Sequence, residues 1–368
     1  MKYLFSITTV LVLFLLLPYS GIAQLVLPQA SQKAIFTQTI GLTDITIQYH
    51  RPMVKGREIW GKLVPLSETG DLEDGQIPWR AGANENTVIT FSTDVKIEGK
   101  DLAAGTYGLH MVPTKNDWTV IFSTNSSSWG SFFYRKDEDA IRIKVKPTET
   151  SFHELLTYDI IDQTQNSAKI VLRWEKKEVP IQVSINTHEI VLASFRDQLR
   201  SSPGFSWQGW NTAANYCLNN NINHEEALQW ANNAIQRGKN FTTMATKSNL
   251  LVQMGKQDEA DQIMKNALTV ATNQELNQYG YQLINQGKLN EAIEAFKINT
   301  EKNPDDPNVW DSLGEGYVTR GEKEDKKLAI KALEKSLSLD PPANVRQNSI
   351  KLLQQLGVKK YMKDDDAG

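Results

Sequence analysis

Trp310-Asp311-Ser312-Leu313-Gly314-Glu315-Gly316-Tyr317 is the stretch whose reading decides the C-terminal half of this chain. Gly321, Ala329, Leu333 and Pro341 follow it. A large residue opens the stretch, small residues sit beside it, and an alanine and a proline come at the spacing of a second helix and its end. Residues in the same place recur upstream. Trp210, Met244, Leu276 and Trp310 are separated by 34, 32 and 34 residues. Each carries similar company. Tyr279, Gly280, Leu283, Gly287, Ala292, Phe296 and Pro304 follow Leu276, and Leu251, Gly255, Ala260, Met264 and Ala267 follow Met244. Ala213, Ala214, Cys217, Ala227, Ala231 and Ala234 follow Trp210. A period of this length marks a repeat architecture.

The spacing resembles the tetratricopeptide repeat, a helical hairpin that stacks into a solenoid. A large residue on the first helix packs beside a small one, and a glycine or alanine lets the second helix approach. No single hairpin buries its apolar face alone, so the copies must stack. Asn344 to Leu356 reads as a capping helix, with Ile350, Leu353 and Leu356 on one face, and Tyr361 to Gly368 as a frayed acidic tail. Solenoids of this kind bind peptides or partner domains, which makes a protein or peptide the expected partner. Bracing the N-terminal domain or dimerising is the alternative use. Asn215, Asn219 and Asn249 are candidate contributors to a peptide clamp, although Asn is as common on solvated faces.

Upstream of these repeats the periodicity changes. From Ile45 to Ile185 short alternating runs are separated by turn signals. Ile45-Ile47-Tyr49, Val88 to Phe91, Val95 to Ile97, Gly105 to Val112, Trp118 to Ser123, Ile141-Ile143-Val145, Leu155 to Ile161, Lys169 to Trp174 and Val179 to Ile185 make nine strands with no helix between them. An antiparallel β-sandwich or barrel follows. The expected fold is therefore α+β in separate domains, the β domain first and an α-helical solenoid second.

Between Tyr49 and Asn86 lies a long irregular stretch: His50-Arg51-Pro52, Lys55-Gly56-Arg57, Trp60-Gly61 and Trp79-Arg80-Ala81-Gly82-Ala83-Asn84-Glu85. Long loops inside a compact domain are often functional. With Gly99-Lys100, the run Ala104-Gly105-Thr106-Tyr107-Gly108-Leu109 and Trp118, these motifs resemble the family named domain of unknown function 2911 over residues 24–185. The resemblance implies a bacterial, exported protein, often with tetratricopeptide repeats behind this domain. It implies no established activity and carries over no catalytic residue.

The candidate ligand-binding residues come from these loops: Arg51, Arg57, Trp60, Trp79, Arg80, Asn84, Glu85 and His110. Converging arginines clamp a carboxylate, phosphate or acidic sugar through planar bidentate contacts. A buried Arg–Glu network that locks the loops uses the same residues. Trp60 and Trp79 suit either stacking on a sugar ring or the domain core. His110 suits a general base or a satisfied strand histidine.

Other chemistry finds no signature. His153-Glu154 is followed by Thr157, so the zinc-protease spacing fails. No nucleophile elbow, phosphate loop or dinucleotide fingerprint appears. Ser126-Ser127-Ser128 reads as a polar loop tip, and Asp71, Glu73 and Asp74 as a solvated turn. No metal and no cofactor are expected. Cys217 is the single cysteine, so no disulfide forms within the chain, and its alanine-rich neighbours mark it as core filler.

At the N-terminus Lys2 precedes an apolar run from Leu4 to Leu17, broken by Pro18, and Gly21-Ile22-Ala23 places small residues before Gln24. This is the layout of a cleaved secretory signal, and the run is short for a membrane span. An uncleaved anchor is the alternative. The 368 residues carry a net charge of −3 and 40% apolar residues, a balance that points away from nucleic acid. The expected division is residues 1–23 signal peptide, 24–187 β-rich domain, 188–205 linker or helix, 206–358 helical repeats with cap, and 359–368 acidic tail. The expected function is an exported, periplasmic or secreted, non-enzymatic binding protein with no membrane span after cleavage. The alternative is an envelope hydrolase or isomerase acting on carbohydrate or peptide. That alternative needs Arg51, Arg80, Asn84, Glu85 and His110 around one pocket.

Overall fold

The computed structural model describes residues 27–362 apart from residue 74. The expected signal segment, Asp74 and residues 363–368 of the expected acidic tail lie outside the described residues. The chain divides into two compact units, Met1–Val191 and Leu192–Gly368.

The first unit is two antiparallel sheets. The larger runs β1 (Gln32–Ile40), β2 (Thr43–Arg51), β3 (Thr87–Phe91), β6 (Gly105–Val112), β7 (Trp118–Ser123) and β8 (Asp139–Val145), in that order. The smaller runs β5 (Lys100–Leu102), β4 (Val95–Ile97), β10 (Ser167–Ser184) and β9 (Thr148–Ile161). Neither closes, so the open two-sheet form is taken and the barrel is not. Alternation explains the packing. Ile45, Ile47 and Tyr49 of β2, Leu109 and Met111 of β6, and Ile170, Leu172 and Trp174 of β10 enter one shared core.

Two elements differ from the expectation. β1 falls outside the alternating runs: it is rich in Gln and Thr, lies at the sheet edge, and is mostly exposed. Lys169 to Trp174 and Val179 to Ile185 are one strand rather than two. The charged run Glu175-Lys176-Lys177-Glu178 reads as a turn, yet it continues the ladder with β9 through register shifts, with Glu175 at φ 55°.

The connection from β2 to β3 folds onto the core rather than away from it. Ile59, Val64 and Ala81 are buried. Trp60 and Trp79 join Trp118 and Trp174 in one cluster, with ring centroids 4.9 to 6.3 Å apart. Both loop tryptophans thus take the core role.

The second unit contains four helical hairpins. A leading helix, α1 (Thr187–Gln198), spans the unit boundary. The hairpins are α2 (Trp207–Asn220) with α3 (His224–Arg237), α4 (Phe241–Gln253) with α5 (Gln257–Val270), α6 (Asn273–Asn285) with α7 (Leu289–Lys302), and α8 (Pro307–Arg320) with α9 (Asp325–Ser338). The cap is α10 (Ala343–Gln355). Trp210, Met244, Leu276 and Trp310 each fall on the first helix of a hairpin. Ala227, Ala260, Ala292 and Ala329 on the second helices are all buried. The register holds in detail: the indole N–H groups of Trp210 and Trp310 each donate to a carbonyl six residues back, Gly204 and Pro304, both at 2.8 Å. Among the described residues no helix is long and apolar enough to cross a membrane.

Candidate functional site

The β domain brings polar groups together on the outer face of the larger sheet. Tyr49, Leu109 and Met111 point into the core. Their neighbours His50, Gly108 and His110 therefore face outward. That face is covered by the loop between β7 and β8. His110 Nδ1 lies 2.8 Å from the hydroxyl of Ser131, and the His110 ring meets Tyr134 edge-on at 5.5 Å. Arg142 on β8 donates to the Tyr134 hydroxyl and to Asp139, both at 2.6 Å. The Tyr134 hydroxyl in turn donates to Asp139 at 2.8 Å. Asn86 donates to the Asn125 carbonyl at 3.1 Å and so ties the start of β3 to the same loop.

Arg80 stands at the edge of this assembly. Its Nη1 donates to the carbonyl of Asn84, and its guanidinium lies 5.1 Å from the centre of the Phe132 ring. Gly130 packs against the same guanidinium. A Cβ at Gly130, where φ is +60°, would come within 2.4 Å of the guanidinium carbon, so the close approach needs glycine. Burial lowers the Arg80 pKa from its ordinary value. Burial first, and then the Arg80 charge, lowers the pKa of His110 to about 4, so its imidazole is neutral at pH 7.

Arg80 also lines a cavity of about 500 Å³. Pro65, Leu66, Ile77, Pro78, Trp79, Val112 and Pro113 supply most of its wall. Ser67, Gln76 and Ser131 are its other polar side chains.

The remaining predicted residues are distributed elsewhere. Arg51 donates to the Leu156 carbonyl at 3.1 Å and the Thr157 hydroxyl at 2.7 Å, tying β2 to β9. Arg57 donates to the carbonyls of Val54 and Met53 within its own loop. Asn84 donates to Gln29 and to the Ser31 carbonyl at the start of the described chain. Glu85 Oε2 faces His50 Nδ1 at 3.2 Å, outside good hydrogen-bond geometry. Burial lowers the His50 pKa, against the opposing pull of Glu85. Of the predicted residues, the cavity takes Arg80 and Trp79 alone. Sequence reasoning passed over Gly130, Ser131, Phe132 and Tyr134. Their signal was a glycine followed by three aromatics in loop sequence, without any spacing that links them to His110.

The helical unit offers a second site. A cavity of about 490 Å³ is lined by Asn219 from α2, by Phe241, Asn249, Val252 and Gln253 from α4, and by Tyr279, Gln282, Leu283 and Gln286 from α6. The first helices of three successive hairpins therefore share one groove. Among the described residues no hydrogen-bond partner meets the side-chain amides of Asn219, Asn249, Gln282 or Gln286. Asn215 is engaged instead, accepting from Thr246 at 3.3 Å. Cys217 is buried, and burial raises its thiol pKa to about 11, which leaves it unreactive.

Comparison with the curated proteins gives no match. Among solved structures the helical region is similar to tetratricopeptide proteins. YrrB, described as a TPR protein with an unusual peptide-binding site, is 22% identical, with 44% of this chain and 83% of that chain covered and a TM-score of 0.27. MamA from Desulfovibrio magneticus RS-1 is 18% identical, covering 42% of this chain and 87% of that one, with a TM-score of 0.27. Pseudomonas aeruginosa pilF is 19% identical, covering 44% and 75%, also with a TM-score of 0.27. Residues 31–183, the two-sheet domain that carries the Arg80 cavity, match the model of the family described as protein of unknown function (DUF2911).

Proposed function

We propose that this chain is an exported bacterial envelope protein that acts as a non-enzymatic binding scaffold. Its helical repeats hold a protein or peptide partner, and its β domain takes a small ligand. The observation that carries this reading is the groove across α2, α4 and α6. Gln282 and Gln286 are spaced one helical turn apart and so share a face on α6, and Asn249 lines the same groove from α4. Amide side chains offer both donor and acceptor, which suits the backbone of an extended peptide. Val252, 46% exposed, supplies apolar surface for its side chains.

Binding of the purified full chain to an array of unstructured peptides tests this. A subset of peptides is expected to bind, and Asn249→Ala with Gln286→Ala is expected to weaken them at least tenfold. An unchanged profile in the folded double variant overturns the groove. Export is supported by the leader pattern before Gln24. Cell fractionation with N-terminal sequencing of the mature protein is expected to read residue 24 as the first; retention of the leader in the cytoplasm overturns it.

A further inference from the structure

We propose that the cavity beside Arg80 binds an organic monocarboxylate with an apolar body. The proposal rests on the reading of the β domain as a ligand-binding module and names its ligand class. Arg80 differs from the other arginines of the domain. Arg135, Arg142 and Arg173 are each paired with carboxylates. Arg51 and Arg57 each satisfy two protein acceptors. Arg80 is half-buried, and among the described residues it meets one carbonyl and no carboxylate. A guanidinium has N–H groups in excess of that one bond, and these are open to an acceptor on a ligand. Gly130 and Phe132 both pack against the planar group, which orients it before any ligand arrives.

The lining selects the class. The other polar side chains of the wall are already occupied. The Ser67 hydroxyl donates to the Asp71 carbonyl at 2.8 Å, Gln76 accepts from the Glu73 amide at 3.1 Å, and Ser131 is engaged with His110. One positive charge and an apolar wall remain. A sugar needs many hydrogen bonds that this wall does not offer. A phosphate dianion needs a second cation, and His110 is held neutral. A single carboxylate matches one guanidinium bidentately. The volume of about 500 Å³ lies within the ordinary range of ligand pockets. Ile77, 48% exposed, and Phe132, 61% exposed, leave further apolar surface beside Arg80 for the body of the ligand.

The test is calorimetric titration of the full chain with decanoate, decanol, decyl phosphate and glucuronate. Decanoate is expected to bind saturably, at least tenfold tighter than decanol or decyl phosphate. Arg80→Met, with its fold checked by circular dichroism, is expected to remove that preference for decanoate over decanol. The wild-type comparison decides the matter even if the variant fails to fold. Decanol binding as tightly as decanoate overturns the proposal, and so does decanoate binding untouched by Arg80→Met. Glucuronate or decyl phosphate binding that Arg80→Met abolishes, with decanoate silent, overturns the ligand class and keeps the β domain as a ligand module. Silence from all four overturns both.

Discussion

His110 Nδ1 and the Ser131 hydroxyl stand 2.8 Å apart, and both side chains are almost fully buried. This contact pins the β7–β8 loop to the outer face of the larger sheet, and that loop supplies Gly130 and Phe132 to Arg80. The titration of His110 is therefore coupled to the shape of the cavity. Burial disfavours the imidazolium, and the nearby Arg80 charge adds to that. The folded pKa is about 4 against 6.5 when unfolded, so the neutral form contributes stability that is complete above pH 6.5. That stability is lost as pH falls through 6.5 towards 4, by on the order of 3 kcal/mol in full. In a proton NMR titration the His110 ring signal is expected to stay neutral down to pH 5. A midpoint near 6.5 contradicts this.

Of the two roles open to Arg51, ligand contact or loop lock, its hydrogen bonds match the second and tie β2 to β9. Arg51→Met removes its bonds to Leu156 and Thr157, partners more than a hundred residues away. The expected cost is about 1–3 kcal/mol in chemical denaturation, the range for hydrogen bonds to a charged group. Decanoate affinity is expected to be unchanged, because Arg51 does not line the cavity. A loss of affinity without a loss of stability reverses this assignment.

The helical hairpins depend on close approach. A Cβ at Gly280 on α6 would lie 2.3 Å from the Phe296 ring on α7. Gly280→Ala gains up to about 1 kcal/mol of helix propensity. Overpacking costs typically about 1–3 kcal/mol. The clash dominates because Phe296 is itself fully buried and has no room to retreat. The urea midpoint of the helical signal at 222 nm is expected to fall; a rise shows that the ring moves freely.

Asp311 on α8 is buried without a cation among the described residues. It accepts from Ser349 and, at 2.8 Å, from Asn348, both on the cap helix. Burial raises its pKa above 3.8, with those donors opposing. A carboxylate raised in the folded state binds its proton more tightly there than when unfolded. Its contribution is then most favourable at low pH and declines as pH rises through the folded pKa. Asp311→Asn is expected to destabilise the protein more at pH 4 than at pH 7. Urea midpoints of both proteins at the two pH values measure this, and a larger loss at pH 7 would invert the sign.

Much of the architecture was legible along the chain. The recurrence of Trp210, Met244, Leu276 and Trp310 located all four hairpins, because each hairpin closes through contacts within its own repeat. The alternation of Ile45, Ile47 and Tyr49, or of Ile141, Ile143 and Val145, marked strands, because side chains on a strand face opposite sides in turn. The Trp79 to Glu85 motif marked the neighbourhood of the cavity. Periodicity is local, and these features are local. Which arginine stays open was decided elsewhere. Arg51 finds Leu156, His110 finds Ser131, and Arg80 finds Gly130 and Phe132, all across turns and sheets with no periodic trace in the chain. The sequence alone determined that a β-rich domain precedes stacked hairpins. Only the tertiary structure separated Arg80 from its companions, because a guanidinium's free hydrogen bonds depend on which distant backbone and side-chain groups fold against it.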